Sequence, residues 1–219
     1  MSSNMPEGVS QVVRPDWGAR WLNAIDRLNS AFCRGYHRMQ ADPVPLPAEG
    51  PALVVANHLS GLDPLVMIAA SPRPLRFLIA KEEYERLGLR ALFKAVGCIP
   101  VDRAGRPERA FREAVKALQS GEVVALFPEG GIHTGDKRPP LKRGVWKLAQ
   151  LAGCPIYPLH IEGIAGEGRI VSALLRRSRI RVFAHPPITC SGDASTCLDA
   201  VYESIGMAPD PLSAIAATL

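Results

Sequence analysis

The chain has 219 residues, 47% of them hydrophobic, enough to bury a full core as one domain with at most a small appendage. Its five cysteines (Cys33, Cys98, Cys154, Cys190 and Cys197) form neither a CxxC pair nor a short ladder. That speaks against a disulfide framework and a zinc site, and for a reducing compartment. No basic start followed by an apolar core opens the chain, and no apolar run reaches about 18 residues, so neither a signal peptide nor a membrane-spanning helix is expected.

The formal net charge of +5 is unevenly placed. Residues 73–116 hold eleven Lys/Arg against six Asp/Glu, 137–147 hold five bases and no acid, and 176–181 hold four bases, whereas 190–219 carry four acids and no base. Such clustering fits an anionic partner (phosphate, a membrane surface, an acidic carrier protein or nucleic acid) or simply solvated helix faces.

Taken in order, residues 1–11 are polar and read as loose. Between Trp17 and Met39, Trp17, Trp21, Leu22, Ile25, Leu28, Phe32 and Tyr36 recur at helical steps, with Arg20, Arg27, Arg34 and Arg38 off the stripe. Tryptophans on one face and arginines on the other fit an interfacial helix in lipid headgroups, and a helix packed on its own core fits equally. Residues 1–40 are therefore set apart as an N-terminal amphipathic segment and 41–219 as the main domain.

A proline-rich connector (41–51) leads into Leu53-Val54-Val55-Ala56, whose length and β-branching predict a buried strand. It stops at Asn57-His58. Ser60 and Gly61 then form a turn, and Asp63-Pro64 is a helix-start signal. His58 and Asp63 thus flank one tight loop between a strand end and a helix start, where α/β proteins display reactive groups. Folded back, that loop lets the Asp63 carboxylate meet one imidazole nitrogen and leaves the other free to take a proton. The plain alternative is a packing histidine and a capping aspartate.

Beyond the helix after Pro64, the pattern predicts a strand at Leu75–Ala80, a helix over Lys81–Lys94 and a short strand over Ala95–Val101 delivering Asp102-Arg103. A helix over Arg106–Ser120 ends at Gly121, and a strand over Glu122–Phe127 is followed by Pro128-Glu129-Gly130-Gly131, whose glycines permit close backbone approach. An irregular basic loop (132–140), a helix at Gly144–Ala152, strands at Cys154–Ile161 and Ile180–Ala184 and a helix over Thr196–Ile205 complete the chain; the tail after Pro211 is weakly determined. The alternation predicts a single α/β domain with a mixed, largely parallel sheet flanked by helices, plus the N-terminal amphipathic helix. If the strands share a direction, His58/Asp63, Asp102/Arg103, Glu129 and Glu162 converge on one rim. A base held by a carboxylate beside an arginine suited to phosphate describes a transfer site with a phosphorylated acceptor.

These residues resemble the glycerolipid acyltransferase family typified by the 1-acylglycerol-3-phosphate acyltransferases, over roughly residues 50–165. Four blocks stand in the family's order: Asn57-His58-Leu59-Ser60-Gly61-Leu62-Asp63 as NHxSxxD, Gly97-Cys98-Ile99-Pro100-Val101-Asp102-Arg103 as GxIPVDR, Phe127-Pro128-Glu129-Gly130 as FPEG, and the proline-containing strand Pro155–Leu159. Lys142-Arg143-Gly144 looks like the KxG segment that often follows the third block. Gly131 departs from the family, which has Thr or Ser there.

The resemblance implies His58 as general base, Asp63 orienting it, Arg103 holding the acceptor phosphate, and Glu129, Gly130 and Gly131 shaping the acceptor pocket, with Lys142 nearby. It implies an acyl-CoA or acyl-carrier-protein thioester as donor, lysophosphatidic acid as acceptor, no covalent acyl-enzyme, no cofactor and no metal. Without an expected membrane-spanning helix, the Trp17–Met39 helix and the basic surfaces predict a cytoplasmic protein peripheral on the inner membrane face. Glycerol-3-phosphate, a lysophospholipid or a lyso-aminolipid are alternative acceptors. No G-x-S-x-G elbow surrounds Ser60. A metal hydrolase built on His58, Asp63, Glu129 and His133 matches no short ligand spacing, and His133, His160 and His185 are read as surface or packing residues. A nucleic-acid-binding module is permitted by the basic clusters but shows no recognition motif. A non-catalytic lipid-binding relative is opposed by the intact His58/Asp63 pair.

Overall fold

The computed structural model describes residues 15–85, 88–133 and 140–206. Helix α1 (Arg20–Ala31) continues into a π-helical turn at Phe32–Tyr36 and a short strand β1 (Gln40–Ala41). Then follow β2 (Ala52–Ala56), α2 (Asp63–Ala70), β3 (Leu75–Ala80), α3 (Lys81–Tyr84), α4 (Arg90–Ala95), β4 (Ile99–Val101), α5 (Pro107–Gln119) and β5 (Val123–Leu126). The chain closes with α6 (Gly144–Ala152), β6 (Ile156–Glu162), α7 (Ile170–Leu175), β7 (Arg181–Ala184) and α8 (Ala194–Gly206).

Among the described residues seven strands form one sheet in the order β1-β7-β6-β2-β5-β3-β4. Every pairing is parallel except β6 with β7. β2 is the centre: all five of its residues are buried, as a parallel strand covered on both faces requires. Its side chains alternate between two cores. Ala52, Val54 and Ala56 pack with Val66 and Met67 of α2, Cys33 and Ala173 of α7. Leu53 and Val55 pack with Ala114 and Leu118 of α5, Leu148 of α6, and Val201 and Ile205 of α8. The result is a helix–sheet–helix sandwich in which the five mutually parallel strands, β2 to β6, end on one rim, while β1 and β7 run the other way.

Two helices start where proline sits in the first turn, Pro64 in α2 and Pro107 in α5. α5 stops as the sequence predicts: the Gly121 N–H donates to Leu118 O at 2.8 Å and the Glu122 N–H to Ala117 O at 3.0 Å, a Schellman closure.

The expected helix over 81–94 is instead two short helices, α3 and α4. Gly88, at φ +87°, lies in the left-handed region that a continuing helix excludes; residues 86 and 87 lie outside the described residues. The two-residue β1 and helix α7 are elements for which the sequence reading has no counterpart. The expectation of no disulfide is corrected as well: Cys190 and Cys197 are bonded, joining the segment after β7 to the first turn of α8. Residues 1–11, most of the 132–140 loop and the tail after Pro211 lie outside the described residues.

Much of the basic cluster at 73–116 is used internally. The Arg73 guanidinium donates to Pro47 O, Gly50 O and Gly121 O. Arg76 donates through Nε to Gly97 O and through one terminal nitrogen to both carboxylate oxygens of Glu122. The exposed pair Lys81–Asp102, at 3.1 Å, ties the end of β3 to the end of β4. These cations brace loops, so the cluster is a weaker sign of an anionic partner than its count suggests.

Candidate active site

β2 delivers Asn57 and His58 at the central position of the rim, and the loop to α2 folds back on itself. The cause is the Asp63 carboxylate, which is fully buried. Its Oδ2 accepts from His58 Nδ1 at 2.8 Å, the Leu59 N–H at 2.6 Å and the Ser60 N–H at 2.9 Å, while its Oδ1 accepts from Ser60 Oγ at 3.1 Å. A carboxylate in this role only accepts, so Nδ1 carries the proton and Nε2 presents its lone pair. Nε2 has no hydrogen bond to a described residue, and the His58 side chain keeps 16% of its surface open. One nitrogen is therefore gripped and the other offered.

The ring is fixed from the side as well. It lies flat on Phe127 at 3.9 Å between centroids, with Phe77 beyond at 6.2 Å from Phe127. The His58 N–H donates to Glu129 Oε2 at 3.4 Å, and its carbonyl accepts from the His133 N–H at 3.1 Å. Leu59 O accepts from the Gly168 N–H at 2.8 Å. Asn57, nearly fully buried, forms a two-way clamp to β6: Oδ1 accepts from the Ile161 N–H at 2.7 Å and Nδ2 donates to Ile161 O at 2.8 Å. It extends the β2–β6 ladder past the last backbone rung and so fixes where His58 begins. The sequence reading places Asn57 at the strand's end and in the NHxSxxD block but gives it no role.

Around this core the remaining candidates are unequally placed. Glu129 is buried against His58, and Gly130 and Gly131 follow it. Lys142 arrives from before α6, its N–H donating to Pro128 O at 2.9 Å, and its side chain fills the space over Gly130: a Cβ built there would stand 3.3 Å from Lys142 Cε. Arg103 is exposed at the end of β4, three strands from β2, or roughly 14 Å along the rim at the usual interstrand spacing. Its neighbour Asp102 accepts from Lys81 Nζ and the Gly105 N–H, and the Lys81 hydrogen bond foremost lowers its pKa. Glu162 shares the rim but lies 3.9 Å from His160 Nε2 and does not join His58. Three unbonded cysteines are inert, because burial pushes the thiol of Cys33 up to about 12 and those of Cys98 and Cys154 up to about 11. Among the described residues no three His, Cys, Asp or Glu side chains are grouped to hold a metal ion.

A family model described as Acyltransferase matches residues 36–162, which contain His58, Asp63, Arg103, Glu129 and Lys142. The chain belongs to the acyltransferase family. A probable 1-acyl-sn-glycerol-3-phosphate acyltransferase of Mycoplasma pneumoniae is 32% identical over 180 residues, 75% of this chain and 67% of that protein. The 1-acyl-sn-glycerol-3-phosphate acyltransferase of Bacillus subtilis is 27% identical over 119 residues, 54% of this chain and 59% of that protein. The crystal structure of PlsC, the 1-acyl-sn-glycerophosphate (LPA) acyltransferase of Thermotoga maritima, shares the fold with a TM-score of 0.64 at 19% identity, over 86% of this chain and 81% of that one.

In this acyltransferase Ser60 is fully buried and doubly engaged, donating to Asp63 and accepting from the Leu62 N–H at 3.1 Å. It shapes the loop and is shut away from any acyl group. His133, read from sequence as a surface or packing residue, is bonded through its backbone to the His58 carbonyl. The signal available was its position, two residues past the second glycine of a strand-end loop.

Proposed function

We propose that this acyltransferase moves a fatty acyl group from an acyl-CoA or acyl-carrier-protein thioester to the free hydroxyl of lysophosphatidic acid, giving phosphatidic acid. The observation that carries the reading is the His58 imidazole with Nδ1 locked to a buried carboxylate and Nε2 open at the rim. Nε2 takes the proton of the acceptor hydroxyl as its oxygen attacks the thioester carbonyl carbon. Asp63 keeps the ring in register and stabilises the imidazolium. The tetrahedral adduct then collapses, the carbon–sulfur bond breaks, and the departing thiolate takes the proton back from Nε2. The thioester itself supplies the activated acyl group, so the chemistry calls for no cofactor. Glu129 and the backbone of Gly130 and Gly131 line the acceptor side, Lys142 lies over Gly130, and Arg103, at the far end of the rim, adds positive charge that draws the anionic acceptor without contacting its phosphate.

The test compares acceptors. With purified protein and acyl-CoA, thiol release is expected to be fastest with lysophosphatidic acid. Faster release with glycerol-3-phosphate, a lysophospholipid or a lyso-aminolipid would reassign the acceptor, and release only from an acylated carrier protein would reassign the donor.

We also infer peripheral attachment to an anionic membrane. No helix among the described residues is long and apolar enough to cross a membrane. α1 packs on α2 through Leu22, buried Asp26 and a hydrogen bond from Asn29 to Leu65 O, which turns Trp21 (52% exposed), Ile25 and Leu28 (71%) outward. Tyr36 donates to Leu175 O at 2.6 Å and so adds α7, with Val171 (65%) and Leu175 (72%), to that side of the sheet. Exposed Arg20, Arg27, Arg176 and Arg177 accompany these apolar groups, the pairing that binds anionic headgroups. Combining Leu28→Glu with Leu175→Glu is expected to weaken sedimentation with phosphatidylglycerol vesicles roughly 10-fold. Unchanged sedimentation would remove this surface from the account.

A further inference from the structure

In lysophosphatidic acid the phosphate ester is carried by the carbon next to the one bearing the reacting hydroxyl. With that hydroxyl at His58 Nε2, groups contacting the phosphate directly must lie near His58, and the loop bonded to His58 carries two exposed side chains, His133 and Lys142. His133 is tied to the catalytic loop by its N–H on the His58 carbonyl, at 3.1 Å. Its imidazole turns back over Gly131, where a Cβ would stand 3.8 Å from Nε2. Lys142 covers the adjacent Gly130 through its Cε, and its own N–H holds Pro128 O. Neither side chain has a hydrogen bond or ion pair with any described residue. Two nitrogen donors therefore stand over two consecutive glycines, on the loop bonded to His58 and without partners among the described residues. Among the described residues of this loop the carboxylate is Glu129, which is buried and accepts from the His58 N–H.

We propose that His133 is an acceptor-specificity residue: with Lys142 it forms a cradle over Gly130 and Gly131 that donates to the phosphate of the lysolipid acceptor. This rests on the reading of the site as acylating lysophosphatidic acid. It gives His133 the position of the Ser or Thr hydroxyl expected at residue 131 from the family resemblance. Gly131 does not adopt the left-handed backbone, and its Cβ position meets only the His133 ring at van der Waals distance, so a hydroxyl side chain fits there.

The experiment measures KM for lysophosphatidic acid and, separately, for acyl-CoA with the full chain. His133→Ala is expected to raise KM for lysophosphatidic acid roughly 10-fold, the worth of one hydrogen bond to a charged group. The accompanying change in kcat should be smaller, and KM for acyl-CoA should move less than about twofold. The backbone bond to His58 survives the substitution and the side chain is exposed, so the unfolding temperature should hold. His133→Gln, which keeps a donor, and Gly131→Ser combined with His133→Ala should each recover part of the loss. An unchanged KM for lysophosphatidic acid, or a rise in KM for acyl-CoA in its place, overturns the proposal while the wild-type activity keeps the acceptor reading. A wild-type protein that releases no thiol with lysophosphatidic acid removes both.

Discussion

Replacing His58 with alanine is expected to lower acceptor-dependent thiol release by roughly 10³- to 10⁴-fold, the full contribution of a positioned general base. The effect should fall on kcat, because nothing in the geometry makes the imidazole a major share of the binding surface. Stability should change little. The ring is partly open, and its loss removes the stacking on Phe127 and one of the four donors to Asp63, together about 1 kcal/mol. Urea unfolding of the variant alongside its rate separates the two effects. A His58→Ala protein that keeps a tenth of the wild-type rate would place the base elsewhere.

Asp63→Asn should damage both properties at once. The carboxylate accepts everything that reaches it; an amide must point its NH2 group at one of those donors. With the amide nitrogen at the Oδ2 position it faces the Leu59 and Ser60 N–H groups and the protonated Nδ1, and with the amide reversed it loses the hydroxyl of Ser60 as donor. Either orientation leaves at least one buried donor without an acceptor, at a cost of roughly 1–3 kcal/mol, so the midpoint of urea unfolding should fall. The surviving imidazole is also free to adopt the wrong tautomer, so the rate should drop by roughly 10³- to 10⁴-fold even in the folded fraction. An Asp63→Asn variant with normal stability and a small rate loss would mean that the carboxylate merely caps α2.

Those two residues were the most legible part of the chain. The run of β-branched residues before Asn57 and the Asp63-Pro64 helix start each have a local cause, and together they place a histidine and an aspartate across one tight loop. β3 and α6 match their sequence-based bounds for the same reason: period, turn residues and glycine stops lie within one segment. What was not legible depends on partners far along the chain. Asn57 acts on Ile161, more than a hundred residues away, and nothing near Asn57 announces it. β1 has two residues and exists only because β7 pairs with it. Cys190 and Cys197 come together because the segment before α8 turns back onto that helix. Arg73 and Arg76 look like surface charge in sequence but brace loops contributed by residues 47–50 and 97–122. Arg103 and Lys142 stand about equally close to the catalytic blocks in sequence; strand order alone separates them, leaving Lys142 beside His58 and Arg103 at the edge of the rim. The outward turn of Trp21, Ile25 and Leu28 likewise follows from α2 receiving the other side of α1.

The claim at the centre of the account is that the acyl group passes in one displacement from thioester to acceptor, with His58 moving only a proton. The most direct measurement is the intact mass of the protein after incubation with acyl-CoA in the absence of acceptor, followed by addition of lysophosphatidic acid with the released thiol counted. The expected result is an unmodified mass throughout, with thiol appearing only after the acceptor is added. A stoichiometric acyl adduct that forms before the acceptor and disappears on its addition would contradict the account.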